Sequence, residues 1–336
     1  MIPLSGENRI VGLLEKRFGG GPAWLRRGIG DDAAVFCPGG AREHWIATTD
    51  MLVEGVDFRR NWTTPRLLGH KSLAANLSDL AAMGARPRLF TVSLAIPPGL
   101  GERWILDFCR GAASLAGREG AHLAGGDLSR SERHITVSIT ALGESLGRRV
   151  LYRSGGRPGD LLYVTGVLGM SAAGLRLLRG GCLHPDEAAQ KRALRAHLRP
   201  EPRCRAGVWL AHSGLVRAMM DLSDGISRDL PRLCRASRVG ARIDASAIPV
   251  FRQSSAWGCD PLDLGLHGGE DFELLFAVPG SRVRVLEKAY PAGFPKITRI
   301  GILTAGRGIE VADAGGRRRR LPELGFDHFV PAPESP

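Results

Sequence analysis

Val216-Arg217-Ala218-Met219-Met220-Asp221-Leu222-Ser223-Asp224-Gly225 runs from a mostly apolar, strand-like segment into two carboxylates and a hydroxyl within four residues, then a glycine. A helical pattern follows to about Ser237. Ser or Asp suits the N-cap of that helix. A helix start that caps itself can still offer backbone amides to a phosphate. The same rhythm recurs upstream. Trp45-Ile46-Ala47-Thr48 is strand-like and ends at Asp50, and His122–Ala124 leads into Gly125-Gly126-Asp127, read as a turn where glycine lets backbone approach a phosphate. Strands that alternate with helices place the chain in the α/β (α+β) class. The halves share this rhythm but no residue-level repeat.

Residues 65–83 form the clearest helix, with Pro65 near its start and Gly84 and Pro87 just beyond its end. Leu73, Leu77 and Leu80 make an apolar stripe at helical spacing. Ser72, Asn76 and Asp79 share another face, a polar stripe among alanines that reads as facing a ligand. Strands are expected at 88–96, 122–124 and Ile135–Leu142, with a helix over 101–117 between them. Ser154-Gly155-Gly156-Arg157-Pro158-Gly159-Asp160 is the best junction in the chain. A length of 336 residues suits two domains, placed at 1–148 and 149–336. The second half holds further strands at Leu161–Thr165, Phe272–Val278 and Ile297–Ile302, a helix around 169–179, and a charged helix plus loop over 184–202.

Composition narrows the function. Hydrophobic content of 43% with 24% charged residues is that of a globular protein with a core. No apolar run approaches the roughly 20 residues of a membrane span, and the N-terminus lacks the basic-then-apolar order of a signal peptide. A cytoplasmic location and no membrane partner are the expectation. Six cysteines include no C-x-x-C pair, so they read as reduced, buried small residues. The net charge of +12 raises nucleic-acid binding. However, the arginines are dispersed and the aromatics are not interleaved with them as a stacking surface needs, so no nucleic-acid partner is expected. The one basic run, Arg317–Arg320, reads as a solvated hairpin tip. There is no P-loop, kinase H-R-D or D-F-G set, or nucleophile elbow.

What remains is a set of aspartates, each at the end of an element: Asp31, Asp50, Asp79, Asp127, Asp221 and Asp224. Gathered by the fold, they would repel one another too strongly to stay ionised without cations. Such oxygen ligands suit Mg²⁺, held by carboxylates and substrate phosphates. That points to nucleoside triphosphate chemistry through metal. Leu266-His267-Gly268-Gly269-Glu270-Asp271-Phe272-Glu273-Leu274 puts acids at the mouth of a strand, where Glu270 faces ligand or solvent and Glu273 is structural.

Taken in order, the motifs resemble those of the thiamine-monophosphate kinase family, within the larger aminoimidazole ribonucleotide synthetase superfamily. They are Gly28-Ile29-Gly30-Asp31-Asp32-Ala33-Ala34, the stretch from Thr48-Thr49-Asp50 to Val56, the stretch from Asn76-Leu77-Ser78-Asp79 to Pro87, Gly125-Gly126-Asp127, Asp221–Gly225, His267–Leu274 and Gly325-Phe326-Asp327-His328-Phe329. The resemblance implies the two-domain fold of that superfamily. Its N-terminal domain binds ATP and Mg²⁺ and joins its sheet into a barrel across a homodimer. Its C-terminal α/β sandwich domain completes the active site. It implies ATP-dependent phosphorylation of thiamine monophosphate to thiamine diphosphate, the final step of that synthesis. Several Mg²⁺ ions would be held by Asp31, Thr48, Thr49, Asp50, Asp79, Asp127, Asp221 and Asp224, with Asp50, Asp127 and Asp221 central to catalysis. ATP would contact Gly126, Asp127, Arg153 and Ser223, and the substrate end would meet Asp57, Glu270 and Phe326. The chain departs from the family in Asp57, where the family often has His, in Cys109, where an aromatic residue near adenine is expected, and in Phe326, which replaces Tyr or Trp. Direct in-line transfer is expected, because an anionic phosphate nucleophile needs position and charge neutralisation rather than a strong base. The competing readings are a superfamily relative that activates an amide, thiol or selenide, and a nucleotide-binding module without turnover. The first would need a C-terminal or Gly-rich N-terminal cysteine. The intact carboxylates count against the second.

Overall fold

A computed structural model describes residues 7–18, 22–39, 41–180, 186–313, 315–326 and 328. Cys182, the start of the 184–202 segment, Asp327 and Phe329 lie outside the described residues, as do Met1–Gly6. The first half is built from α1 (Glu7–Phe18), β1 (Leu25–Arg27), β2 (Ala34–Phe36), β3 (Trp45–Val53), α2 (Pro65–Ala82), β4 (Arg86–Ile96), α3 (Glu102–Glu119), β5 (His122–Arg130) and β6 (Thr136–Glu144). The second half is built from β7 (Leu161–Thr165), α4 (Met170–Leu178), α5 (Glu187–Leu198), α6 (Cys204–Ser213), β8 (Ala218–Leu222), α7 (Ile226–Ser237), β9 (Gly240–Asp244), α8 (Pro261–His267), β10 (Glu273–Val278), α9 (Val283–Ala289), β11 (Ile297–Thr304), β12 (Ile309–Ala312) and β13 (Arg318–Arg320).

Two sheets organise these elements. The first has the order β1-β2-β3-β6-β4-β5 and the second β13-β12-β9-β11-β7-β10-β8. Only β4–β5 and β12–β9 pair in parallel. Within one chain the first sheet is open, with β1 and β5 as edges, and no closed barrel forms among the described residues. β6 alternates between buried and half-buried along its length, the period-two signature of a sheet with one covered face. Its inward residues Val137, Ile139 and Ala141 join Ile46, Phe90 and Val92 in the core beneath α2 and α3.

The second sheet is buried on both sides around β8 and β10, every residue of which is buried. Met219, Leu274 and Phe276 face the N-terminal core, while Ala218, Met220, Leu222 and Leu275 face a second core with Leu230 and Leu233 of α7. This explains why Val216–Met220 reads as a continuous apolar run rather than an alternating one. α2 is buried nearly all round because it packs against α3, β3 and β6 on one side and α6 and β8 on the other.

Two expectations change. Gly125-Gly126-Asp127 is not a turn but the middle of β5, held extended by parallel pairing with β4 just after a register shift at Ala124. The chain turns at Asp313–Arg317, where Asp313 N donates to Arg317 O, so Arg318–Arg320 is an exposed strand rather than a hairpin tip. Cys204, Cys234 and Cys259 are buried free thiols, but Cys37 and Cys109 are only half-buried. No helix among the described residues is long and apolar enough to cross a membrane.

α2 and α3 cross at two glycines. A Cβ on Gly69 would lie 2.0 Å from Phe108 O, and one on Gly111 would lie 1.8 Å from Arg66 O. Gly111→Ala is therefore expected to destabilise the protein by about 1–3 kcal/mol through overpacking, measured by urea unfolding. An unchanged midpoint would refute this close approach.

Candidate active site

Three elements deliver carboxylates to one place: the loop between β1 and β2 supplies Asp32, α2 supplies Asp79 and β8 supplies Asp221. One oxygen from each lies within 4.8 Å of the other two. Ser78 Oγ donates to Asp221 Oδ2 at 2.6 Å, and Thr48 Oγ1 donates to Asp79 Oδ2. Arg153 forks onto Asp32 Oδ1 through Nε at 3.0 Å and Nη2 at 2.6 Å. Its amide donates to Asp31 Oδ1 at 3.1 Å, and Arg27 Nε reaches Asp31 Oδ2 at 2.9 Å.

Burial and like charge raise the proton affinity of Asp31, Asp50, Asp79 and Asp221. Burial, then Asp50, Asp221 and Asp32, raises Asp79 well above the ordinary range. Burial, then Asp32, does the same to Asp221. Burial with Asp224 and Asp57 pushes Asp50 up to about 6. Burial and Asp32 push Asp31 to about 6 despite Arg153 and Arg27. Desolvation and like charge act in the same direction here. Asp32 Oδ2 and Asp50 Oδ2 are buried without a hydrogen-bond partner among the described residues, a costly state for an ionised carboxylate. An all-oxygen donor set with unpaired buried oxygens fits a hard divalent cation.

The start of α7 closes one side of the site. Its N-cap is Gly225, not Ser223 or Asp224, and Gly225 has a φ of 97°. Glycine is needed there, because a Cβ would also lie 2.7 Å from Gly268 O. Asp229 in the first turn instead accepts from the amides of Ser223 at 3.1 Å and Asp224 at 3.0 Å. Arg232 Nη1 then ties Asp229 Oδ1 (2.9 Å) to Asp224 Oδ2 (2.6 Å).

Loop 268–272 is pinned to the end of β8: Glu270 N donates to Ser223 O at 2.7 Å and Phe272 N to Leu222 O at 2.9 Å. Glu270 and Phe272 adopt left-handed φ values of 62° and 49°, a strained state that surrounding contacts must enforce. Asp271 accepts from the amides of Gly169 and Ser171 at the start of α4. Glu273 is buried and accepts from Arg203 Nε at 2.7 Å and Thr165 Oγ1 at 2.6 Å. Glu270 instead reaches the cleft and is paired with Lys71. Burial pushes the Asp57 carboxyl up, Glu270 adds to this, and the Val53 amide, His328 and Lys71 oppose it. Phe326 is exposed and meets His328 edge to face, with ring centres 4.7 Å apart.

The fold thus gathers Asp31, Thr48, Asp50, Asp79, Arg153, Asp221, Ser223 and Asp224 around one cluster, with Asp57, Glu270 and Phe326 at a neighbouring end. It does not bring Asp127 or Gly126 there within one chain. Asp50, Ile139, Val92 and Gly126 form one cross-sheet row, so three strand spacings, about 14 Å, separate β3 from β5. Thr49 turns away and donates to Ile139 O. Ser72 Oγ and Asn76 Nδ2 bond to backbone oxygens of their own helix, Leu68 O and Ser72 O, while Asn76 Oδ1 is buried without a partner among the described residues and Asp79 joins the acids. Residues missed from the sequence are Asp32, Asp229, Arg232, Lys71 and His197. Asp32 directly follows Asp31 and was hidden by it, whereas the others become visible only when α5 and α7 are folded onto the site.

Residues 30–145 match the family described as AIR synthase related protein, N-terminal domain, and residues 157–314 match its C-terminal domain. The chain is 35% identical over 309 residues to the thiamine-monophosphate kinase of Buchnera aphidicola subsp. Schizaphis graminum, covering 90% of this chain and 93% of that protein. It is 37% identical to the Escherichia coli K12 thiamine-monophosphate kinase over 307 residues, covering 90% and 92%. The chain belongs to the thiamine-monophosphate kinase family. It is a kinase, and its fold superposes with a TM-score of 0.83 on a structure described as AaThiL complexed with AMPPCP and TMP, at 29% identity and covering 96% of this chain and 97% of that one.

A carboxyl with a raised folded-state pKa binds its proton more tightly in the folded protein than in the unfolded chain. Its stabilising contribution is full below the ordinary Asp value and is lost as pH rises through about 6 for Asp31 and Asp50 and about 7 for Asp229. In EDTA the melting temperature should therefore fall as pH rises between about 5 and 7.5, and Asp50→Asn should flatten that slope. A wild-type curve that rises across this window would refute the burial of these acids.

Proposed function

We propose that this chain transfers the γ-phosphoryl group of ATP directly and in line to thiamine monophosphate, giving thiamine diphosphate. The observation that carries this reading is the cluster of Asp32, Asp79 and Asp221 oxygens with unpaired neighbours at Asp32 and Asp50, in a chain whose relatives are thiamine-monophosphate kinases. Residues 1–148 supply most of the acids, and residues 149–336 close the site with Arg153, Asp221, Ser223, Asp224 and Glu270. Mg²⁺ would be held by Asp31, Thr48, Asp50, Asp79, Asp221 and Asp224, with Asp32 added to that set; Thr49 and Asp127, which the fold turns away or leaves at a distance within one chain, drop out of it. When bound, it would neutralise the repulsion between the two phosphate anions.

The chain's own residues supply position. Arg153 stands beside Asp32 and Asp31, where it bonds the acids and presents a cation towards the nucleotide. Ser78 and Thr48 fix the carboxylate rotamers by donating to them. Asp229 and Arg232 lock Asp224 and Ser223 against the start of α7. Asp57, Glu270 and Phe326 meet the ring end of the substrate, the carboxylates facing its fixed positive charge and Phe326 offering a π face. The incoming phosphate is already anionic, so no side chain has to remove a proton from it.

A homodimer is part of this reading. β5 is an edge strand with all nine residues exposed, including Leu123 and Leu128. A long bare edge of this kind is normally covered, and a second copy paired along β5 would cover it.

Purified protein incubated with ATP, Mg²⁺ and thiamine monophosphate should form thiamine diphosphate, and unphosphorylated thiamine should give no product. Asp50→Asn and Asp221→Asn should each lose at least about 100-fold in kcat while staying folded by circular dichroism. Near-normal turnover in both would sink the assignment. Leu128→Arg should shift the particle towards the monomer by light scattering, and an unchanged dimer would place the interface elsewhere.

A further inference from the structure

Behind Glu270 at the substrate end lie two buried residues that the proposed reaction does not use. Lys71 of α2 and His197 of α5 have side chains only 4% and 3% exposed, whereas Glu270 is 31% exposed. Lys71 Nζ lies 2.7 Å from Glu270 Oε1 and 2.9 Å from Oε2. It also lies 3.4 Å from His197 Nε2. His197 Nδ1 lies 3.2 Å from Glu270 Oε2 and 3.1 Å from Ser171 Oγ.

The chemistry of the donors settles the proton positions. An ammonium has three donors and no acceptor, so His197 Nε2 must offer a lone pair to Lys71. Burial, then the charge of Lys71, lowers the His197 pKa and keeps the ring neutral. Its single proton is therefore on Nδ1, where it is donated to Glu270. Burial alone would raise Glu270, but the Lys71 charge and the bonds from His197 and Lys71 overcome it and push the carboxyl down to about 2. The carboxylate thus accepts from inside the protein on both oxygens and turns its remaining capacity to the cleft. The backbone beneath it has the left-handed φ of 62°, which is unfavourable for glutamate and needs an outside tether.

We infer that Lys71 and His197 are positioning residues that hold Glu270 at the cleft as a fixed anion with one free accepting face, and so set the affinity for the cationic, amino-bearing ring end of the substrate. This inference rests on the reading of the site as one for thiamine monophosphate. Lys71 and His197 do not touch the substrate; they act through Glu270. Three helices converge to make the device: α2 brings Lys71, α5 brings His197 and α4 brings Ser171. The charged segment around 187–198 thereby acquires a role at the substrate end.

The test is a double-mutant cycle on the full-length protein. Lys71→Met should raise KM for thiamine monophosphate roughly 10- to 100-fold, the scale of a lost charge-assisted bond, with KM for ATP nearly unchanged. His197→Phe should raise it several-fold. In a Glu270→Gln background, Lys71→Met should add no further rise, because the residue through which it acts is already neutral. A merely structural Lys71 would instead lower the melting temperature and move both KM values together, and it would add its full effect in the Glu270→Gln background. Either result overturns the inference. Titration calorimetry with thiamine monophosphate reads the same cycle without turnover. Wild type that binds but does not turn over overturns phosphoryl transfer and leaves the cycle decisive, whereas wild type that neither binds nor turns over overturns both.

Discussion

Repulsion among buried carboxylates is the constraint on which the rest of this structure depends. Asp31, Asp32, Asp50, Asp79, Asp221, Asp224 and Asp229 converge from a loop, two strand regions and two helices. Arg27, Arg153 and Arg232 offset part of that charge through bonds of 2.6–3.1 Å to Asp31, Asp32, Asp224 and Asp229. Asp79 and Asp221 receive hydroxyl bonds from Thr48 and Ser78 rather than a direct cation. Burial and mutual repulsion therefore raise the proton affinity of Asp79 and Asp221, and a bound cation would relieve the same repulsion. A core built only for stability would replace such a cluster with apolar side chains, so its retention is itself the argument for ligand chemistry.

The two domains are joined at this point by packing as well as by charge. α2 carries Asp79 and β8 carries Asp221, and their apolar faces share one core through Leu77, Met219 and Phe276. Gly84 and Gly207 let α6 approach the end of α2: a Cβ on Gly207 would lie 2.0 Å from Ala81 O. The approach of α6 to the end of α2 that carries Asp79 is thus set by backbone-to-backbone contact, which is stiffer than a side-chain contact. The site sits on the seam because only the seam brings acids from both halves within ångströms of one another.

Much of the architecture was legible because it rests on local signals. The helix over Pro65–Ala82, with its proline start and the glycine after it, and the strand that ends at Asp221 follow from periodicity and terminators. The acids at element ends were legible for the same reason. Three things were not. Gly125-Gly126-Asp127 carries the composition of a turn, but pairing with β4 overrides local preference and makes it a strand. The polar stripe of Ser72 and Asn76 pointed to a ligand, whereas burial on both sides of α2 turns those groups back onto their own helix. Lys71 and His197 gave no signal, since a lone lysine and a lone histidine acquire meaning only when helices 126 residues apart in sequence meet.

The two ends of the site answer the same electrostatic problem in opposite ways. At the end proposed for the substrate, Glu270 is compensated by Lys71 and the His197 ring, both built into the protein, and, against its burial, the Lys71 charge holds its carboxyl well below the usual range. At the aspartate cluster the compensation is incomplete, and Asp32 Oδ2 and Asp50 Oδ2 are buried without a hydrogen-bond partner among the described residues. This division follows from what each end must do over a reaction cycle. An organic cation that enters and leaves needs a carboxylate already ionised and already oriented, because reorganisation at each encounter would weaken binding. Under the proposed reading, phosphates that exchange together with their counter-ions would need carboxylates that lose and regain cations with little structural change. The raised proton affinity of Asp50 and Asp79 has the same origin as that requirement, since the repulsion that favours a proton there is the repulsion a cation would relieve.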